Sequence, residues 1–186
     1  SGGGGQNQLP TSEYLLVGAS SAYNAQGVVL LCNLDGTNCI EFLGGNSTRL
    51  NAQALGLVNN DRFGTSMAIN GAILYVSAAS KDGGDGKSPG SGKIFRFDLT
   101  NAIAPTPNAN ASAATPSSIT FTLTKDGVTP VANQYFGKSL FATPTALYVG
   151  SNLRKNSEVE QGRYSQLKTG SIFQCDLKGE NCNEVI

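Results

Sequence analysis

Four cysteines in two equally spaced pairs are the residues of this chain best placed for chemistry. Cys32 and Cys39 bracket Asn-Leu-Asp-Gly-Thr-Asn, and Cys175 and Cys182 bracket Asp-Leu-Lys-Gly-Glu-Asn, with 39 − 32 = 7 and 182 − 175 = 7. Each pair encloses an Asx-Leu-x-Gly turn, so the two sulfurs face one another across a short hairpin. Two local disulfides are the favoured reading. Metal ligation and free thiols are the alternatives, but four-cysteine zinc sites use tighter C-x2-C spacing. Each bridge would add about 2.5 kcal/mol in the chain-entropy model and would imply an oxidising compartment. Two N-glycosylation acceptors, Asn46 in Asn-Ser-Thr and Asn110 in Asn-Ala-Ser, agree with that compartment.

Other chemistry is sparse. The chain has no histidine, so Ser-His-Asp and Cys-His sites are excluded within it. Carboxylates (Asp61, Asp82, Asp85, Asp98, Asp126, Glu158, Glu160) are scattered, with no spacing that asks for a catalytic pair. Asp98 and Asp176 follow equivalent segments and suit turn-capping. Gly83-Gly84-Asp85-Gly86-Lys87-Ser88 lacks the upstream glycine spacing and following helix of a phosphate loop. Arg154, Lys155, Arg163 and Lys168 make the 151–169 segment basic, either as a solvated loop or as a site for an acidic partner or glycan. Tyr23 and Tyr164 fall in loops and are the tyrosines free to bind, and there is no tryptophan to stack on sugars. No cofactor and no catalytic residue is expected.

Length and charge bound the rest. The 186 residues carry 13 Lys+Arg against 13 Asp+Glu, so no global field favours nucleic acid. No apolar run approaches the roughly 20 residues of a membrane span. With 23 glycines and only 14% charged residues, the composition suits short strands and tight turns.

The elements that would position these groups repeat. Phe63-Gly64-Thr65-Ser66-Met67 followed by Leu74-Tyr75-Val76-Ser77-Ala78 recurs as Phe136-Gly137-Lys138-Ser139-Leu140 followed by Leu147-Tyr148-Val149-Gly150-Ser151, with 136 − 63 = 149 − 76 = 73. A shortened copy stands at Leu15-Leu16-Val17-Gly18-Ala19. A third-strand signature, Gly-x-(Val/Ile)-(Leu/Phe)-x-(Cys/Phe)-Asx-Leu, begins at Gly27, Gly92 and Gly170. Phe97 replaces the cysteine in the middle copy, whose turn also lacks the second cysteine, as paired disulfide partners require. Asn70-Gly71 is a two-residue hairpin signal joining the first two strands of its repeat. An outer strand is expected at 119–123 in the middle repeat, after a surface insertion at 101–118, and a weaker one at 40–43 in the first. Residues 14–19 read as a buried strand, apolar on both faces, and 48–60 as a connection with a short helical turn. Four-stranded antiparallel units too small to bury their own faces predict an all-β chain of β-propeller blades.

The Phe-Gly-x-Ser-(Met/Leu) and Leu-Tyr-Val-(Gly/Ser) pairs resemble FG-GAP repeats, the blades of integrin α-like propellers, over residues 13–186. The resemblance implies that the aromatic and small residues of these strands pack neighbouring blades together. The family's calcium loop is not carried over. The first-to-second strand connections, Asn70-Gly71 and Thr143-Pro144-Thr145, lack the spaced oxygen side chains such a site needs. The acidic loop at 81–86 lies elsewhere, between the second and third strands.

The expected organisation is a disordered or linker segment at 1–12, a partial blade at 13–60 lacking its Phe-Gly strand, a full blade at 61–133, and a blade at 134–186 without an outer strand. About two and a half blades cannot close a ring, so a larger or multi-chain propeller is expected. The expected function is adhesive or ligand-binding, non-catalytic and extracellular. A protein or glycan partner would be bound through the candidate loop residues Arg154, Lys155, Arg163 and Tyr164; further copies or chains completing the propeller through its unpaired strand edges are the other expected partner. A structural subunit of a filament or coat, and a non-catalytic part of a secreted enzyme, are the alternatives.

Overall fold

The computed structural model describes residues 13–48, 50–80, 91–99, 116–119, 135–152, 170–179 and 181–185. They form three antiparallel sheets. The first contains β1 (Tyr14–Ala19), β2 (Val28–Asn33) and β3 (Ile40–Gly44) in that order. The middle sheet runs β4 (Phe63–Asn70), β5 (Ile73–Ala78), β6 (Lys93–Asp98) and β7 (Pro116–Ile119). The third runs β8 (Phe136–Ala142), β9 (Leu147–Ser151), β10 (Ser171–Cys175) and β11 (Cys182–Glu184). Within each sheet every strand pairs with its neighbour in sequence, as hairpin-linked meanders do. The all-β expectation therefore holds for the described residues, among which the first sheet has three strands, none of them a Phe-Gly strand.

Two outer strands differ from expectation. In the middle sheet a strand falls at Pro116–Ile119, with Ile119 opposite Ile94 and Pro116 opposite Phe97, so the end of the expected surface insertion at 101–118 is sheet, while 120–123 of the expected outer strand lie outside the described residues. Proline is tolerated as the first residue of a strand, the place Pro116 holds in β7. In the third sheet a fourth strand is present: β11 pairs with β10 and sets Cys182 opposite Cys175. Its three residues are too few to show alternation, and the disulfide fixes them in register.

The Phe-Gly motif builds the same backbone twice. Arg62 and Tyr135, preceding the phenylalanines, sit at φ 58° and 53°, and Gly64 and Gly137 at φ 83° and 86°. Thr65 N–H donates to Arg62 O and Lys138 N–H to Tyr135 O, at 3.2 and 3.1 Å. The strand pairing slips at these points, between Phe63 and Met67 and between Phe136 and Ser139. The result is a bulge that glycine permits and that aims the phenylalanine inward.

Sheets stack through two apolar cores. Between the first and middle sheets lie Val29, Leu31, Phe42, Leu43, Phe63, Leu74, Val76, Phe95 and Phe97, all buried. Leu50, Ala52, Leu55 and Leu57, from the turn-rich connection after β3, close one side of it. Between the middle and third sheets lie Tyr75, Ile94, Phe136, Leu147, Val149, Phe173 and Cys175. β5 thus serves both cores by alternation, Leu74 and Val76 on one face and Tyr75 on the other. Phe63 meets Phe95 edge-on at 5.3 Å between ring centroids, and Phe136 meets Phe173 at 5.4 Å.

At each junction the neighbouring backbones almost touch. Phe63 N–H donates to Gln26 O and Phe136 N–H to Ser91 O, both at 3.0 Å. The following residues, Gly27 and Gly92, sit at φ 93° and 90°, and a Cβ on either would lie 2.1 Å from the phenylalanine carbonyl oxygen. β1 departs from the expected burial on both faces. Leu15 is 42% exposed where its counterpart Leu74 is 1% exposed, because β1 has no second strand and no sheet against its outer face among the described residues.

Candidate functional site

Both cysteine pairs are disulfides, each with Cα atoms 4.0 Å apart. The enclosed turns are near copies. Asn33 N–H donates to Thr37 O and Gly36 N–H to Asn33 O, while Asp176 N–H donates to Asn181 O and Gly179 N–H to Asp176 O. Asp176 also accepts from Lys178 N–H at 3.1 Å and Asn181 Nδ2 at 2.7 Å, the turn-capping role its position predicts. In the first turn Asp35 accepts from the Thr37 hydroxyl at 2.6 Å and the Thr37 N–H at 2.9 Å. The hydroxyl bond, then the N–H bond, hold its carboxyl below the usual aspartate value.

The 20–26 loop joins β1 to β2. Its backbone is committed to structure. Tyr23, Asn24 and Ala25 all adopt left-handed φ, at 53°, 55° and 60°. Asn24 O accepts from Asn60 N–H at 3.1 Å and Ala25 O from Arg62 N–H at 2.8 Å, which ties the loop to the start of the middle sheet. Tyr23, 42% exposed, donates its hydroxyl to Glu41 Oε1, and Glu41 Oε2 accepts from Asn46 N–H at 2.6 Å. The Glu41 bond raises the Tyr23 hydroxyl above its ordinary pKa. Tyr23, Glu41 and Asn46 therefore form one exposed polar cluster. Sequence reasoning singled out Tyr23 and Asn46 separately. It missed Glu41, because only the fold brings positions 23, 41 and 46 together. Asn46 is exposed while Ser47 is buried, its hydroxyl donating to Phe42 O at 2.7 Å.

A second polar group lies at the junction of the middle and third sheets. Tyr75, 1% exposed, donates its hydroxyl to Leu177 O at 2.7 Å across the junction. Burial raises the Tyr75 pKa, while the hydrogen bond and charge of Arg96 oppose the rise and the charge of Asp176 adds to it. Arg96 Nε is buried and has no hydrogen-bond partner among the described residues. The corresponding positions in the other third strands are Leu31 and Gln174, so no repeat signal marked Arg96.

The remaining candidates divide simply. Arg154, Lys155, Arg163 and Tyr164 lie outside the described residues, as do Asn110, the 81–86 acidic loop, Asp126, Glu158 and Glu160. Asp61 is 3% exposed and accepts from Val58 N–H at 2.8 Å, a loop-holding role. Tyr148 is half-buried, unlike its repeat counterpart Tyr75. Among the described residues no group of three His, Cys, Asp or Glu is placed to hold a metal ion. No helix among them is long and apolar enough to cross a membrane.

No protein-family model matches the chain, and no curated protein matches it. Among solved structures, a chain from the crystal structure of the tricorn protease is similar at 13% identity and a TM-score of 0.42. The alignment covers 86% of this chain and 15% of that one. A match at that score assigns neither a fold nor an activity.

Proposed function

We propose that this chain is a segment of an extracellular, FG-GAP-like β-propeller with an adhesive or ligand-binding role and no catalysis of its own. The observation that carries the reading is the repeated junction. Equivalent Phe-Gly positions pack successive sheets face to face, and the residues used most regularly are spent on stacking. Two disulfides support an oxidising compartment. Function then falls to the loops between second and third strands, where the basic 151–169 segment supplies the charge for an acidic protein or glycan partner. The test is binding of the full chain to an array of sulfated and sialylated glycans, repeated with Arg154→Ala/Lys155→Ala. Binding lost in the double variant supports the reading; binding unchanged, or absent in both, contradicts it.

A structural role in an extracellular filament or coat is the second reading. The open edge of β1 and the exposed face of the third sheet favour it, with Phe141 65% and Ile172 41% exposed where Ile94, the counterpart of Ile172, is fully buried. Electron microscopy separates the two: discrete particles favour the binding role, continuous chains of subunits the structural one.

A further inference from the structure

The three sheets are built from one pattern, and among the described residues the first is short by one strand on its β1 side. In the middle and third sheets, β5 and β9 each have a Phe-Gly strand on one edge and a third strand on the other. β1 aligns with β9 residue for residue: Leu147-Tyr148-Val149-Gly150-Ser151 against Leu15-Leu16-Val17-Gly18-Ala19, with 147 − 15 = 151 − 19 = 132. Among the described residues β1 pairs with β2 alone, so the edge that β8 occupies on β9 is open on β1.

We infer that the edge of β1 left uncovered by the described strands is a binding site for an extended polypeptide segment of the type Phe-Gly-x-Ser-(Met/Leu)-apolar. The register follows from the filled copy. In the third sheet Phe136 lies opposite Ser151, Leu140 opposite Val149, Phe141 opposite Tyr148 and Ala142 opposite Leu147. Transferred to β1, the incoming phenylalanine sits opposite Ala19, the Met/Leu position opposite Val17, the apolar residue after it opposite Leu16, and the next residue opposite Leu15.

Three features of the first sheet suit that guest. Backbone N–H and C=O groups on the open edge of β1 supply ladder partners, as in other strand additions. Leu30 lies opposite Val17, the position that Phe173 holds opposite Val149 in the third sheet. An aliphatic side chain therefore waits where Phe173 receives Phe136 at 5.4 Å. Leu15, Leu16 and Val17 are only partly covered, whereas Leu147 and Val149 are fully buried once β8 and the adjoining sheet are in place. The glycine matters on the guest's side. Gly64 and Gly137 both need φ near 85° to make the bulge that turns the phenylalanine inward.

The inference rests on strand registers and not on the glycan-binding reading, so the two fail separately. The test is hydrogen exchange of the full 186-residue chain with a synthetic peptide of residues 134–143. At peptide concentrations about ten times the dissociation constant, amides of 14–19 should exchange about tenfold more slowly, with 28–33 little changed. Peptides carrying Phe136→Ala or Gly137→Ala should bind at least tenfold more weakly. Absence of slowing at 14–19 at millimolar peptide overturns the inference, as does equal slowing by the two altered peptides or by a scrambled one.

Discussion

Tyr75 shows how one side chain can be read correctly in kind and incompletely in role. The repeat marks it as a core position, and it is buried; its hydroxyl nonetheless crosses the junction to Leu177 O, 102 positions away in the chain. Tyr75→Phe keeps the ring and leaves that carbonyl without this donor, so it should cost about 1 kcal/mol in chemical denaturation. Asp35 carries a pH signature. Its folded carboxyl is held below the ordinary value by Thr37, so the unfolded chain takes up a proton first as pH falls. The contribution is present above about pH 4 and is lost as pH falls through the depressed folded value. Thr37→Ala should flatten the acid limb of the stability curve, measured by urea unfolding between about pH 5 and pH 2. No comparable spacing rule could have found Glu41, because its partners reach it only through the loop at 20–26 and the hairpin of β2 and β3.

At the level of elements, the hairpins were the most legible part. A motif repeated at a constant offset marks strand identity, and Asn70-Gly71 marks the turn between β4 and β5 one residue early: Asn70 pairs with Ile73, and the two loop residues are Gly71, at φ 57°, and Ala72. The outer strands were legible only in part. β7 begins at a proline that sequence patterns treat as a breaker, and β11 is three residues long. The disulfides carry disproportionate weight there, since β11 meets the sheet only along β10. Replacing Cys175 and Cys182 together by Ala should cost about 2.5 kcal/mol by loop entropy and free the 181–185 amides to exchange, while 136–151 remain protected. Equal loss of protection in β8 and β9 would show that β11 does more than extend an edge.

For the whole molecule, the sequence announced repeated units but not how they touch. The touching surfaces come from both ends of the motif: the glycine before each third strand and the phenylalanine beginning the next sheet. Neither alone signals contact, since 63 − 27 = 36 and 136 − 92 = 44 differ with loop length. Composition could not reveal that Gly27 and Gly92 face backbone and not solvent. Shared cores on both faces of the middle sheet also imply that the sheets unfold together, so a lesion at one junction should lower the single global transition.

The central claim is that Phe-Gly positions exist to seat one sheet against the next. Gly92→Ala tests it most directly, with Gly56→Ala as reference. Both glycines have positive φ, at 90° and 62°, but a Cβ on Gly92 lies 2.1 Å from Phe136 O while Gly56 has nothing within 4 Å. Equilibrium urea unfolding should show Gly56→Ala losing about 1–2 kcal/mol from backbone strain and Gly92→Ala losing at least about 3 kcal/mol, strain plus the opened junction. Equal losses for the two variants would contradict the account.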